Sequence, residues 1–171
     1  MQTEIKYGFV IGVLMIGGLY AEYYAGFNIS LAGGSPALSG ILFIILGIIM
    51  GIREKKLDDK NGLTYFQCFL GGITIAFIAG VIFGGYSFFY ARFIDPEYLS
   101  KVVYDVEKNM KLHHASDEDI KHNLAMVRSS YSPLGQFING TGATVIVGAL
   151  VSGIASFFFK KKTPESSNGT Y

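Results

Sequence analysis

The residues best suited to chemistry lie in one polar stretch, 92–133, between two long apolar segments. This stretch holds six Lys/Arg, seven Asp/Glu and the three histidines of the chain, His113, His114 and His122. Histidine and carboxylate together form a ligand set for zinc and similar metals. Glu118 precedes His122 by four residues, but that spacing is also the one of an ordinary helix-surface pair. Because no second histidine stands one turn from His122, we favour the surface pair and expect neither a metal nor another cofactor.

A second candidate cluster consists of polar residues at the ends of three apolar segments. Glu22 is the only acidic residue predicted inside a membrane segment, where ionisable groups are costly and often functional. Arg92, Gln136 and Asn139 are predicted to lie at a similar depth. We expect Glu22 and Arg92 to form a structural ion pair beside the two amides. A ligand or ion site and a proton-transfer site are the alternatives.

Signatures of known catalytic sites are missing from the sequence. It contains no phosphate-binding glycine loop, no Gly-x-Ser-x-Gly elbow, no paired-histidine metalloprotease motif and no intramembrane Asp pair. The single cysteine, Cys68, allows no internal disulfide and is expected to be a small buried apolar residue. We therefore predict that the protein is not an enzyme.

Composition and hydropathy indicate a helical membrane protein. Half of the residues are hydrophobic, and the mean hydropathy is +0.38. Four apolar stretches approach the roughly 20 residues that cross a bilayer as a helix, and the alternation typical of barrel strands is absent. The sequence thus predicts an all-α, polytopic membrane protein with one domain, 1–162, and a disordered polar tail, 163–171. The predicted spans are 5–27, 30–52, 65–93 and 134–159.

The distribution of basic residues predicts the orientation of these spans. With four spans, the N-terminus, the loop after the second span and the C-terminus share one side of the membrane. Eight Lys/Arg fall on that side, whereas those of the insert are diluted by acids. Because basic residues near span ends favour the cytoplasm, we expect both termini to be cytoplasmic and the insert to face the exterior or the periplasm.

The insert, 95–131, is predicted to form an extramembrane amphipathic helical hairpin. Asp95-Pro96 and Ser116 are favourable helix starts, and apolar residues then recur at helical spacing. Short amphipathic helices are marginal alone, so these stripes must be buried against each other, on lipid or on a partner. The candidate partner-binding stripe is Leu99, Val103, Val106, Met110, Ile120, Leu124 and Val127.

Pairs of small residues, glycine or serine, lie one turn apart in every predicted span, and Gly8 and Gly12 are one example. Small residues let membrane helices approach closely. Packing within the chain is the favoured interpretation, and a dimerisation face is the alternative.

The chain also resembles domain-of-unknown-function family 4199. The resemblance lies in the start Ile5-Lys6-Tyr7-Gly8 that leads into the first span, Phe93-Ile94-Asp95-Pro96-Glu97-Tyr98-Leu99, Ser116-Asp117-Glu118-Asp119-Ile120 and the Ser132-Pro133 terminator. It covers nearly the whole chain except the tail. The resemblance implies a small four-span protein of the inner membrane of Gram-negative bacteria, and it brings no catalytic residues.

Three classes of function remain. We favour a non-enzymatic scaffold or accessory subunit that binds a partner through the hairpin and the Gly-rich helix faces. The first alternative is a small transporter or channel with a polar path around Glu22 and Asn139, and the second is an enzyme acting on a lipid-linked substrate. Expected partners are the lipid bilayer and either another membrane protein or a second copy of the chain. The net charge of +1 gives no reason to expect nucleic acid.

The orientation leads to a first prediction. A reporter enzyme that is active only outside the cytoplasm should show background activity when fused to the C-terminus, because the basic residues hold that end inside. The same reporter inserted after Ala115 should be active. Strong activity of the C-terminal fusion would contradict the predicted orientation.

Overall fold

A computed structural model describes residues 2–25, 38–59 and 62–161, and it contains helices and turns but no strand in those ranges. The predicted all-α class is therefore confirmed for the described chain. The helices are α1 (Gln2–Tyr24), α2 (Leu38–Asp58), α3 (Tyr65–Phe89), α4 (Tyr98–Leu112), α5 (Asp117–Ser130) and α6 (Pro133–Phe159), with a π-helical turn (Tyr90–Ile94) after α3. The predicted tail, 163–171, and the start of the second predicted span, 30–37, lie outside the described residues.

Three helical segments are long and apolar enough to cross a membrane: α1, α3 with its π-helical turn (Tyr65–Ile94), and α6. Large apolar side chains such as Phe9, Leu150 and Ile154 are exposed on them, which suits a surface that faces lipid rather than water. The chain is thus a multi-pass membrane protein by the length and composition of these helices.

Helix α2 differs from the span predicted at 30–52. It continues to Asp58, because charged residues from Arg53 onward extend it by another turn and a half. The uncharged part, from Leu38 to Ile52, is only about 22 Å long at a rise of 1.5 Å per residue. For this reason α2 does not meet the criterion of length and composition that the other three helices satisfy.

The four long helices pack with alternating directions, and α2 and α3 each contact the other three. Helix α1 runs parallel to α3, since a Cβ added to Gly8 would lie 2.6 Å from the Cβ of Ile78, and one on Gly12 would lie 2.8 Å from that of Ile82. Helix α2 runs opposite to α1, with Gly47 against Ile11. Helix α6 runs opposite to α3. The shared core includes Ile11, Met15, Leu19, Ile44, Ile48, Ile52, Ile75, Ala79 and Phe83.

The insert contains α4 and α5, and its helix boundaries follow local capping. Helix α4 begins at Tyr98 rather than at Asp95-Pro96, because the π-helical turn ends at Asp95 in a non-helical conformation (φ −129°, ψ 77°). Ser116 caps α5 as predicted, accepting a hydrogen bond from the backbone N–H of Asp119 at 3.2 Å. Helices α4 and α5 contact each other, and α5 contacts α6.

Close packing at glycine gives a second prediction. A Cβ on Gly148 would collide with the Cβ of Ala76 on α3, whereas one on Gly142, in the same helix, would meet no neighbour. Gly148→Ala should therefore lower the free energy of unfolding by about 1–3 kcal/mol. Gly142→Ala should be neutral or stabilise by up to about 1 kcal/mol, because alanine favours the helix. Thermal unfolding in mild detergent measures both, and equal effects of the two substitutions would contradict the packing.

Candidate functional site

Glu22 and Arg92 occupy different surroundings. Glu22 lies in the last turn of α1, and its carboxylate accepts a hydrogen bond from the backbone N–H of Ser39 at the start of α2. Arg92 lies in the π-helical turn, where its side chain is exposed. Within the described ranges Arg92 forms no ion pair with Glu22 or any other acid. Glu22 thus joins α1 to α2 rather than to the end of α3.

The two amides of this cluster, Gln136 and Asn139, have different surroundings. Gln136 lies in the first turn of α6 and is 1% exposed, and its Nε2 has no hydrogen-bond partner among the described residues. Asn139 is exposed and donates a hydrogen bond from Nδ2 to the carbonyl oxygen of Ser130 at 3.1 Å. Asn139 therefore links α6 to the end of α5, which fixes the insert against the membrane helices.

The hydroxyl groups that a polar path would need are bonded to the backbone. Thr141 donates to the carbonyl oxygen of Gly80 on α3 at 3.1 Å, and Thr144 donates to that of Gly140 at 2.7 Å. Ser152 bonds in the same way to Gly148 at 2.6 Å. Each hydroxyl thus uses its one hydrogen on the backbone, and only the lone pairs of its oxygen remain for another group.

The residues of the predicted partner-binding stripe belong to α4 and α5, which contact each other. Its seven residues are half-buried, apart from Ile120, which is buried. By contrast, Tyr104 and Leu112 on α4 are 65% and 66% exposed. They line a cavity of about 380 Å³ with Glu107, Lys108 and Lys111. The stripe residues are thus less exposed than Tyr104 and Leu112, which lie outside the stripe on α4.

The histidines lie on the exposed surface of the insert. His113 and His114 form the turn between α4 and α5, where His114 adopts a positive φ of 55°. Glu118 and His122 line a shallow surface cavity on α5. In the part of the chain that the structure describes, no three His, Cys, Asp or Glu residues lie close enough to hold a metal.

A cluster of charges that sequence reasoning missed lies at the opposite end of the molecule, where α1 begins and α2 ends. Glu4 is 5% exposed and forms an ion pair with Lys55, against Gly71 of α3. Next to it, Lys6 Nζ lies 3.0 Å from Glu54 Oε1, and the Tyr7 hydroxyl donates to Glu54 Oε2 at 2.7 Å. Hydrogen bonds from Tyr7 and Lys6 hold the pKa of Glu54 below its usual value.

This cluster could have been found from one signal in the sequence. If α1 and α2 are antiparallel neighbours, the acids and lysines at the start of α1 must meet those at the end of α2. Such pairing requires both acidic and basic residues at the start of α1 and at the end of α2. The sequence does not reveal which residues face each other, since that depends on the rotation of each helix.

The buried ion pair gives a third prediction. Lys55→Ala should destabilise the protein by about 1–3 kcal/mol, because the buried Glu4 carboxylate loses its ion pair with Lys55, while Lys55 itself is a third exposed. Lys111→Ala is the matched control: it removes the exposed pair with Glu107 and should leave the unfolding midpoint unchanged. Chemical or thermal unfolding in detergent measures both. A stable Lys55→Ala variant would show that the pair does not clamp α1 to α2.

Comparison with known proteins identifies one family. The family model described as "Protein of unknown function (DUF4199)" matches residues 6–161. No curated protein and no solved structure matches the chain.

Proposed function

This chain belongs to the DUF4199 family, and we propose that it is a non-enzymatic scaffold or accessory subunit of a membrane-protein assembly. In this proposal four helices cross the bacterial inner membrane as a four-helix bundle. Both termini lie in the cytoplasm, and α4 and α5 form a hairpin on the opposite side that binds the partner.

The parallel arrangement of α1 and α3 supports α2 as the fourth span. Two neighbouring helices that cross a membrane in the same direction require the chain to return between them. Helix α2 is the described helix in that part of the chain, and it packs against α1 and α3 over its apolar length. Its buried residues Ile44, Ile48 and Ile52 lie in the core shared with α1 and α3. A short apolar helix such as α2 can cross the membrane when neighbouring helices bury its surface.

The charges at the two ends of the molecule support the orientation. The start of α1, the end of α2 and the end of α6 lie together, as the pairs Lys6–Glu54 and Lys56–Phe159 show. Basic residues exceed acidic ones at that end, whereas acidic residues exceed basic ones by one in 92–133. The positive-inside rule therefore favours the cytoplasm for the termini.

The open surface of α4 is the observation that carries the scaffold proposal. With the stripe residues of α4 and α5 half-buried, Tyr104 and Leu112 remain exposed beside Glu107, Lys108 and Lys111. An aromatic and an aliphatic side chain within a charged rim is the composition of a protein-binding hot spot. We assign this surface to an extramembrane segment of another membrane protein. The glycine faces are not part of the proposal, since Gly8, Gly12 and Gly148 pack inside the molecule.

Cross-linking in native membranes tests this surface and is the fourth prediction. A photo-activated cross-linker placed at Tyr104 should yield one discrete adduct with a membrane protein, because that side chain faces the partner. The control is the same cross-linker at Met126, which is half exposed on α5. A Leu112→Asp substitution should reduce the Tyr104 adduct by at least about tenfold, the effect expected of a hot-spot residue. No adduct at Tyr104, or equal adducts at both positions, would contradict the proposal.

A further inference from the structure

The end of the molecule where α2 and α6 terminate carries cations that no acid pairs with in the described ranges. Lys6 and Lys55 are paired with Glu54 and Glu4. The other basic residues described at this end form no ion pair with any residue in the described ranges. These residues are Arg53, Lys56, Lys160 and Lys161. The surface therefore keeps an excess of positive charge beside the last apolar residues of two helices.

Two of these lysines are positioned by aromatic rings of α6. Lys56 Nζ lies 5.8 Å from the ring centroid of Phe159, and Lys160 Nζ lies 4.8 Å from that of Phe157. Both rings belong to the last turn of the apolar helix α6. Contact with the rings keeps each ammonium group at the end of that helix, where the proposed topology places the lipid headgroups.

Lys161 is held at the same place by the backbone. Its N–H donates to the carbonyl oxygen of Leu63 at 2.8 Å, which ties the end of α6 to the turn before α3. Gly62 in that turn adopts a positive φ of 72°, which favours glycine, and a Cβ there would be in ordinary contact with the Cβ of Lys161 at 3.6 Å. The hydrogen bond thus holds the backbone of Lys161 beside this turn, while its side chain is exposed.

We propose that Lys56, Lys160 and Lys161 form a binding site for the phosphate headgroup of an anionic phospholipid. Lysines close to the cytoplasmic surface attract anionic lipid by about 1 kcal/mol each. A role in orientation alone would require net positive charge near the span ends, but not lysines held against rings and a neighbouring turn. At this end six described basic residues stand against four acids, namely Glu4 and Glu54, which are paired with Lys55 and Lys6, and Asp58 and Asp59.

The test measures thermal unfolding of the full-length protein in neutral detergent with added lipid. Short-chain phosphatidylglycerol should raise the unfolding midpoint at lower concentration than short-chain phosphatidylcholine, because only the former is anionic. The triple substitution Lys56→Gln, Lys160→Gln and Lys161→Gln should weaken the apparent affinity for phosphatidylglycerol by about fivefold per lysine, hence about a hundredfold in total. Lys101→Gln, Lys121→Gln and Arg128→Gln together are the control and should leave this affinity unchanged.

Three results would overturn the site. These are equal midpoints with the two lipids, unchanged affinity in the triple variant, or equal loss in the control variant. Soluble glycerol phosphate at the same concentration should give no stabilisation, and an equal effect would show a site for free anions rather than lipid. If the triple variant unfolds without lipid, Lys160→Gln alone replaces it, with about a fivefold loss expected.

Discussion

The close parallel contact between α1 and α3 is the constraint on which the rest of the structure depends. It exists because Gly8 and Gly12 place no side chain between the helix backbones, so that Ile78 and Ile82 pack directly on α1. In lipid, where burial of apolar surface brings no gain, such backbone proximity supplies much of the attraction between helices. Once α1 and α3 are parallel neighbours, the chain between them must travel back along both.

Helix α2 fills this role with a short apolar segment and a charged end. Its glycines, Gly47 and Gly51, receive Ile11 of α1 and Ile75 of α3, which brings all three helices into one core. Its charged end then lies beside the start of α1, where Glu4 and Lys6 find partners of opposite sign. The ion pairs fix how far α2 is shifted along α1. The same shift places Lys56 at the last turn of α6, so the proposed lipid site and the helix packing share one cause.

Much of this arrangement can be predicted from local sequence features. The apolar stretches predict the long helices, and Ser116 predicts the start of α5, because a capping side chain acts on its own backbone neighbours. Contacts between helices are harder to predict. Glu22 bonds to the backbone of α2 instead of Arg92, and Glu4 meets Lys55, because helix rotation and depth select the partner. The predicted helix start at Asp95-Pro96 is wrong. The π-helical turn before it, which no sequence motif predicts, determines the direction in which the chain leaves α3.

In the proposed topology α2 crosses the membrane together with its neighbours. In a variant without the native thiol, Cys68→Ala, single cysteines at Leu38 and at Asp58 mark the two ends of α2. Labelling with a membrane-impermeant maleimide on intact spheroplasts tests this topology. Position 38 should be labelled from outside, and position 58 only after the membrane is opened. Labelling of both positions from the same side would contradict it.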